Sequence, residues 1–283
     1  MRTIIARNAH QALAESCFQL HHFGVTDGDG GKVLPIPTST LVASPTERVA
    51  FYSGLDPFQA LLGSARDIAE VRLNCMVGAG KALKDMPDAR ATMHSGECDS
   101  IGAAFAQIDL DGKVQLMACS SQTNVLGEAD DLVLLSMIQS YIAHAAGREV
   151  GVLWHSSFRP SCDVSQLDLL SEVADHAPTP PAQFEDPYSM GSITDTIPLL
   201  SIPAGRWYRE LVQFFVSERY DSVDYVDPFI QHVLAPAHRA KRLYDDAAPL
   251  ATVQRAIGEI AAQDWMQACL QWVNATTQYE TSE

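Results

Sequence analysis

Apolar residues recur at helical spacing near the start of the chain. Ala9, Leu13, Cys17 and Leu20 fall on one face of a helix, and Gly24 follows as a stop signal. The pattern predicts an amphipathic helix that ends at Gly24.

A second helix is predicted from residue 56 onward. Asp56 is typical of an N-cap and Pro57 of the first helical position. Apolar residues then repeat at positions 61, 62, 65, 68 and 69, a spacing that places them on one helical face.

The middle of the chain alternates between apolar and other residues. Val114, Leu116 and Ala118 follow an Asp111-Gly112 turn with period two, which predicts a β-hairpin. The short apolar stretch at 149–154 predicts a buried central strand.

Residues 130–147 are apolar almost all round, which predicts a deeply buried helix. Asp130 or Asp131 would cap it, and Gly147 would end it. Beyond a long loop rich in Pro and Gly at 176–200, the last third is predicted to be helical, with a kink at Pro236. Strands followed by a helical finish favour one α+β domain over residues 1–283.

Charge limits the possible ligands. The chain has 19 basic and 35 acidic residues, a net charge of −16, and no compact run of Lys or Arg. We therefore expect no direct contact with nucleic acid, although a small anion can bind in a locally basic pocket. With neither a secretory leader nor a run of about 18 apolar residues, we expect a cytoplasmic protein that does not contact the membrane.

The six cysteines are scattered singly, with no CxxC pair and no His at ligand spacing. This distribution argues against a zinc site and against a disulfide framework. His21 and His22 have no third ligand nearby, and the Gly-rich stretch 28–32 lacks the spacing of a phosphate-binding P-loop. We expect no metal.

Several segments, in this order, resemble the thymidylate synthase and deoxynucleotide hydroxymethylase superfamily, in its bacteriophage-type branch. They are the opening from RNAHQAL to DPFQAL (7–61), KALKDMPDARATM (81–93), DGKVQLMACSSQTNVLG (111–127), LLSMIQSYIAHAAGREVGVL (134–153), and the ending from DPFIQ to LQWV (227–273). The resemblance implies a single α+β domain with a twisted mixed sheet. It also implies a dimer, either of two copies or with a thymidylate synthase-like paralogue.

In that family a cysteine thiolate adds to C6 of a pyrimidine nucleotide, and C5 then attacks a methylene group carried by tetrahydrofolate. The resemblance places the nucleophile near Ile101, three residues beyond Cys98. Cys98 can therefore serve only if the local chain is re-spaced. The alternative is that Cys98 is an ordinary loop thiol.

The resemblance also implies positions for phosphate binding. Arg90 stands for one of two arginines that reach the nucleotide phosphate across the dimer, or else is a solvated residue at a helix end. Ser121 falls where another arginine is expected, and Asn124 replaces an aspartate. In the N-terminal phosphate loop, Lys32 is at most the one remaining cation.

The base and sugar positions are implied in the same way. Asp131 falls on the base-reading position, where aspartate goes with cytosine, although a helix cap explains an acid there equally well. Ser161 and Asp163 replace the sugar-binding His and Tyr. His155 either replaces a glutamine near the pocket or is a hydrogen-bonded core residue.

A family segment with an active-site Tyr-Gly-X-Arg sequence is missing between Val71 and Lys81. Three hypotheses follow. The first is a catalytically degenerate thymidylate synthase-like scaffold or partner subunit in pyrimidine nucleotide metabolism or phage-type base modification. The second is an active C5 one-carbon transferase that uses Cys98 and methylene-tetrahydrofolate. The third is a nucleotide-binding regulatory protein.

Overall fold

The structure is a computed structural model. It describes residues 1–6, 8–43, 55–71, 73–94, 101–121, 123–175, 200, 202–220 and 225–280. The chain divides into two compact units. The first comprises Met1–Ala50 and Asn74–Asp186, and the second comprises Phe51–Leu73 and Pro187–Glu283.

Strands and helices are both numbered in chain order within the described ranges. The strands are β1 (Arg2–Ala6), β2 (Val25–Thr26), β3 (Lys32–Val33), β4 (Thr38–Val42), β5 (Ala91–His94), β6 (Ala103–Ile108), β7 (Val114–Ser120), β8 (Thr123–Asn124), β9 (Val150–Ser157) and β10 (Pro160–Cys162). The helices are α1 (Ala9–Phe23), α2 (Ser64–Val71), α3 (Leu73–Asp85), α4 (Glu128–Ala146), α5 (Leu167–Ala174), α6 (Ala204–Phe215), α7 (Ala235–Asp245), α8 (Leu250–Ile257) and α9 (Gln263–Glu280).

A six-stranded mixed sheet forms the centre of the first unit, in the order β1-β4-β9-β7-β6-β5. The predicted hairpin is β6–β7, with a turn at 109–113 in which Gly112 has a φ of 79°. The predicted central strand is β9, which pairs antiparallel with β4 and parallel with β7. Both predictions are confirmed.

The two faces of this sheet differ in exposure. Along β7 and β9 every second residue is buried, and the residues between them are half-buried. Helix α4 packs against the buried face at β7 and β9, and it also contacts α1. Residues 132–143 of α4 are all buried, which confirms the expected core helix.

The predicted helix ends are confirmed in the first unit. Helix α1 ends before Gly24 and buries the four apolar residues of its predicted face. Helix α4 ends at Gly147, which has the left-handed conformation with φ 68°. Its start differs from the prediction, because the helix begins at Glu128 and places both Asp130 and Asp131 inside its first turn.

A second, smaller sheet lies in the first unit, in the order β2-β3-β10-β8. In β10, Ser161 pairs with Val33 on one side and with Asn124 on the other. This sheet therefore brings together chain segments that are far apart in the sequence.

The second unit is helical in its described part. Asp56 and Asp227 begin its two Asp-Pro-Phe segments, and each carboxylate accepts hydrogen bonds from the backbone N–H groups two and three residues later. Each segment continues into a π-helical turn, at Gln59–Gly63 and at Ile230–Leu234. Pro236, expected to kink a helix, lies in the first turn of α7 directly after the second π-helical turn.

None of the helices in the described ranges is both long enough and apolar enough to cross a membrane. The predicted loop at 176–200 lies outside the described residues except for Leu200. The expectation of one domain over the whole chain stays a prediction.

Candidate functional site

Four polar residues meet on the buried face of the large sheet. Thr40 on β4 and His155 on β9 are cross-strand partners, Ser120 ends β7, and Glu128 begins α4. None is more than 5% exposed. The strand register therefore collects these polar groups on a buried face of the sheet.

These four side chains form one hydrogen-bonded network, which we call the His155 network. The Nδ1 atom of His155 lies 3.2 Å from Oε1 of Glu128, and its Nε2 atom lies 3.0 Å from Oγ of Ser120. Thr40 donates from Oγ1 to the same Glu128 oxygen at 3.2 Å. Both ring nitrogens of His155 thus have a partner, as a buried imidazole requires.

The network holds His155 toward its charged form. Burial by itself lowers the pKa of His155, but the hydrogen bond to Glu128 and the negative charges of Glu128 and Asp131 outweigh it, so the pKa is raised. The sequence left two roles open for His155, and the structure places it in the core with hydrogen-bond partners.

Asp131 lies at the edge of this network. It is half-buried in the first turn of α4, three residues after Glu128, and therefore on a neighbouring position of the same helix face. Because its charge acts on His155, the structure brings the proposed base reader and His155 together.

Two described thiols of the first unit, Cys17 and Cys162, are poor nucleophiles. Burial, with the charge of Glu128 next, raises the pKa of Cys17 well above its usual value. Burial also raises the pKa of Cys162 to about 11, and the nearby Lys32 opposes this only in part. A thiol reacts as its thiolate, so neither is suited to attack a pyrimidine at neutral pH.

Cys98 lies outside the described residues, as do all of residues 95–100. The strand before this segment ends at His94, which pairs with Ala103, and Ala103 pairs with Cys119. His94, the last described residue before this segment, therefore lies at the same end of the sheet as Ser120.

Three sequence-predicted residues lie together at the small sheet. Asn124 pairs with Ser161, and Ser161 donates to the carbonyl oxygen of Thr123 at 3.5 Å. The side-chain amide of Asn124 donates to Gln166 at 2.9 Å, and its oxygen caps the short helical turn before α4. Asp163 is exposed and directly follows β10.

Ser121 and Arg90 are both exposed, but at different ends of the large sheet. Ser121 follows Ser120 at the end of β7. Arg90 precedes Ala91, which is level with Leu116 through the strand pairing. Leu116 and Ser120 are four residues apart, about 13 Å along the strand, so the structure does not bring Arg90 to the His155 network within one chain.

Sequence reasoning missed Glu128 and Thr40. Glu128 precedes the two aspartates that were interpreted as caps, and its partner His155 is 27 residues away in the chain. The available signal was an acid beside an apolar helix, because an acid that becomes buried there needs a partner.

The chain is 27% identical to a phage protein named Deoxyuridylate hydroxymethyltransferase, from Pseudomonas phage M6. The alignment covers 96% of this chain and 94% of that relative. That phage protein belongs to the thymidylate synthase-like superfamily, and this chain resembles it as a divergent, phage-type sequence. No protein-family model matches this chain. The resemblance and the α+β fold class expected from the sequence are confirmed.

The alignment with the phage relative also shows a difference in length. It runs over 334 positions, and 96% of the 283 residues is about 272 residues. About 60 positions of the alignment therefore have no residue in this chain. The roles of Arg90, Ser121, Asn124, Asp131, His155, Ser161 and Asp163 in nucleotide binding stay predictions.

Proposed function

We propose that the protein is a thymidylate synthase-like component of phage-type pyrimidine modification that binds a pyrimidine nucleotide weakly and has lost the transfer chemistry. On this proposal it acts as a dimeric scaffold or partner subunit. The observation that carries it is the set of about 60 alignment positions that this chain lacks relative to the phage hydroxymethyltransferase.

The local structure agrees with a missing segment at the expected place. Helix α2 ends at Val71 and α3 begins at Leu73, so a single residue separates them. The resemblance locates an active-site segment between Val71 and Lys81, and this connection leaves no room for it.

The His155 network supports the loss of chemistry in a second way. Its hydroxyl, imidazole and carboxylate groups bond to one another and are nearly inaccessible. Asp131 is half-buried at the edge of the network, which supports its proposed contact with a base. With Ser121, Ser161 and Asp163 at the phosphate and sugar positions, a nucleotide phosphate would find few cations, and each charge-assisted contact contributes about 1.5–3 kcal/mol.

A row of apolar side chains supports the dimer. Ile5, Leu41, Trp154, Met117 and Phe105 are aligned by register across five strands on the face of the large sheet opposite α4. Ile5 is 74% exposed and the other four are half-buried. Covering this row with a second sheet removes apolar surface from water. In such a dimer, Arg90 would contact the nucleotide at the partner's site, which agrees with the distance between Arg90 and the His155 network of its own chain.

An active enzyme is the second candidate, favoured by the name of the phage relative. It would add a hydroxymethyl group to C5 of the pyrimidine, with Cys98 as the nucleophile. The resemblance implies methylene-tetrahydrofolate as the one-carbon donor, and the structure assigns no described residue to it.

Nucleotide titration tests the binding proposal. A carboxylate of Asp131 accepts from the exocyclic amine of cytosine and is repelled by O4 of uracil, so we expect dCMP to bind more tightly than dUMP. Asp131→Asn should reverse this preference. The relative is named for deoxyuridylate, so tight dUMP binding that Asp131→Asn leaves unchanged would contradict the assignment of Asp131.

A further inference from the structure

A cleft of about 550 Å³ opens in the second unit, between the helical segment that begins at Pro57 and α7. Phe58 and Leu62 line it and are 1% and 8% exposed. The π-helical turn at Gln59–Gly63 lies along one side. Such turns are rare and occur often at functional sites, and none of the residues discussed above for nucleotide binding lines this cleft.

One wall of the cleft is a fixed aromatic pair. Tyr220 and His238 stack with ring centroids 3.7 Å apart and planes 15° apart. Phe214, which is fully buried, contacts the edges of both rings with centroid distances of 5.2 and 5.8 Å. Because Phe214 packs against both rings, the Tyr220–His238 pair offers a rigid flat surface to a planar ligand.

Cations from two different helices line the same cleft. Arg66 comes from α2, and Lys241 and Arg242 come from α7. Lys241 is held by Asp245 at 2.5 Å, one helical turn away. Three cations thus line one cleft of a chain whose net charge is −16, and cations that line a cleft favour the binding of an anionic group there.

Carboxylates line the cleft as well. Asp67 and Asp245 both border it, and Asp56 lies close enough for the charges of Lys241 and Asp245 to act on it. These acids repel a polyanion but accept hydrogen bonds from ring or exocyclic N–H groups. The cleft therefore matches a ligand with one anionic group and a nitrogen-containing ring.

We propose that this cleft binds a small phosphate ester of a planar nitrogen heterocycle, of nucleoside monophosphate size. The phosphate would contact Arg66 and Lys241, and the ring would lie against the Tyr220–His238 pair. The cleft shares no residue with the His155 network or with Asp131, so it is a second site and does not depend on the function proposed above.

Calorimetric titration with AMP and dCMP tests this site, with adenosine and inorganic phosphate as partial ligands. Three proteins are compared: the native chain, Arg66→Glu, and Arg255→Glu as a control, because Arg255 is exposed on α8 and does not line the cleft. We expect a nucleotide to bind more tightly than phosphate or adenosine. Arg66→Glu should weaken it at least about tenfold and Arg255→Glu less than about twofold.

The same titration in Asp131→Asn separates the two sites. Binding of dCMP at the cleft should be unchanged in Asp131→Asn and at least about tenfold weaker in Arg66→Glu, whereas dCMP binding at the Asp131 site should be weaker in Asp131→Asn and unchanged in Arg66→Glu. The proposal is overturned if neither nucleotide binds, if Arg66→Glu binds as the native chain does, or if phosphate alone binds as tightly as the nucleotides. Circular dichroism confirms that each variant is folded.

Discussion

Replacing Glu128 by Gln removes the charge that faces His155 and keeps a side chain of the same shape. An amide oxygen can still accept from Thr40 and from the imidazole, so the variant isolates the charge of the His155 network. Removing one partner of a buried ion pair costs about 3–5 kcal/mol, and we expect about 3 kcal/mol for Glu128→Gln because the hydrogen bonds are retained.

The effect must depend on pH, with a sign fixed by the raised pKa of His155. A raised folded pKa contributes stability that is complete below the unfolded value of about 6.5 and is lost as pH rises through the folded value. The deficit of Glu128→Gln should thus be largest near pH 5.5. The deficit should shrink as pH rises from 5.5 toward 9, because the contribution of the charged imidazole falls as pH rises through its raised folded pKa.

Urea unfolding at the two pH values measures this. For a slope near 3 kcal/mol per molar urea, a loss of about 3 kcal/mol lowers the midpoint by about 1 M. Glu149→Gln is the control, because Glu149 is 80% exposed and its pair with Lys113 is at the surface, so its loss should cost less than about 1 kcal/mol at either pH. Equal deficits for Glu128→Gln at pH 5.5 and pH 9 would refute the raised pKa of His155.

Three further predictions concern packing, assembly and salt. Gly80→Ala should lower the free energy of unfolding by about 1–3 kcal/mol in thermal unfolding, because its new Cβ would lie 2.6 Å from Cβ of Ala145. Gly78→Ala, on the same helix, is the control: its new Cβ meets nothing within 4 Å, and the variant should gain up to about 1 kcal/mol. Sedimentation at micromolar concentration should find a dimer that Trp154→Glu dissociates and that Val164→Glu, at an exposed position, leaves intact; a native monomer would contradict the role of the apolar row. Nucleotide binding at the Asp131 site should weaken as salt rises, and binding that is insensitive to salt would argue against a phosphate contact.

The sequence predicted those elements whose signals are local. Gly24 and Gly147 end their helices where expected, and the Asp111-Gly112 turn forms the predicted hairpin, because each depends on a few neighbouring residues. The start of α4 was misplaced by about one turn. The effective cap is Asn124, which precedes a short 3₁₀ turn, so the cap signal lies earlier than the two aspartates suggest.

The site was less predictable because it depends on strand register. Glu128, His155 and Thr40 meet only through the pairing of β4 with β9 and the packing of α4 over the sheet. No short-range pattern in the sequence encodes that meeting. The cleft in the second unit was unpredictable for the same reason, since its lining residues Arg66 and Lys241 are far apart in the chain.

Release of a C5 label tests the central claim most directly, because addition of a thiolate at C6 and loss of the C5 proton are required for transfer to C5. dUMP and dCMP labelled with tritium at C5 would be incubated with the protein, with and without methylene-tetrahydrofolate. If the transfer chemistry has been lost, no label is released above the protein-free control from either nucleotide. Release by the native chain that disappears in Cys98→Ser would contradict that loss and establish the protein as an active transferase.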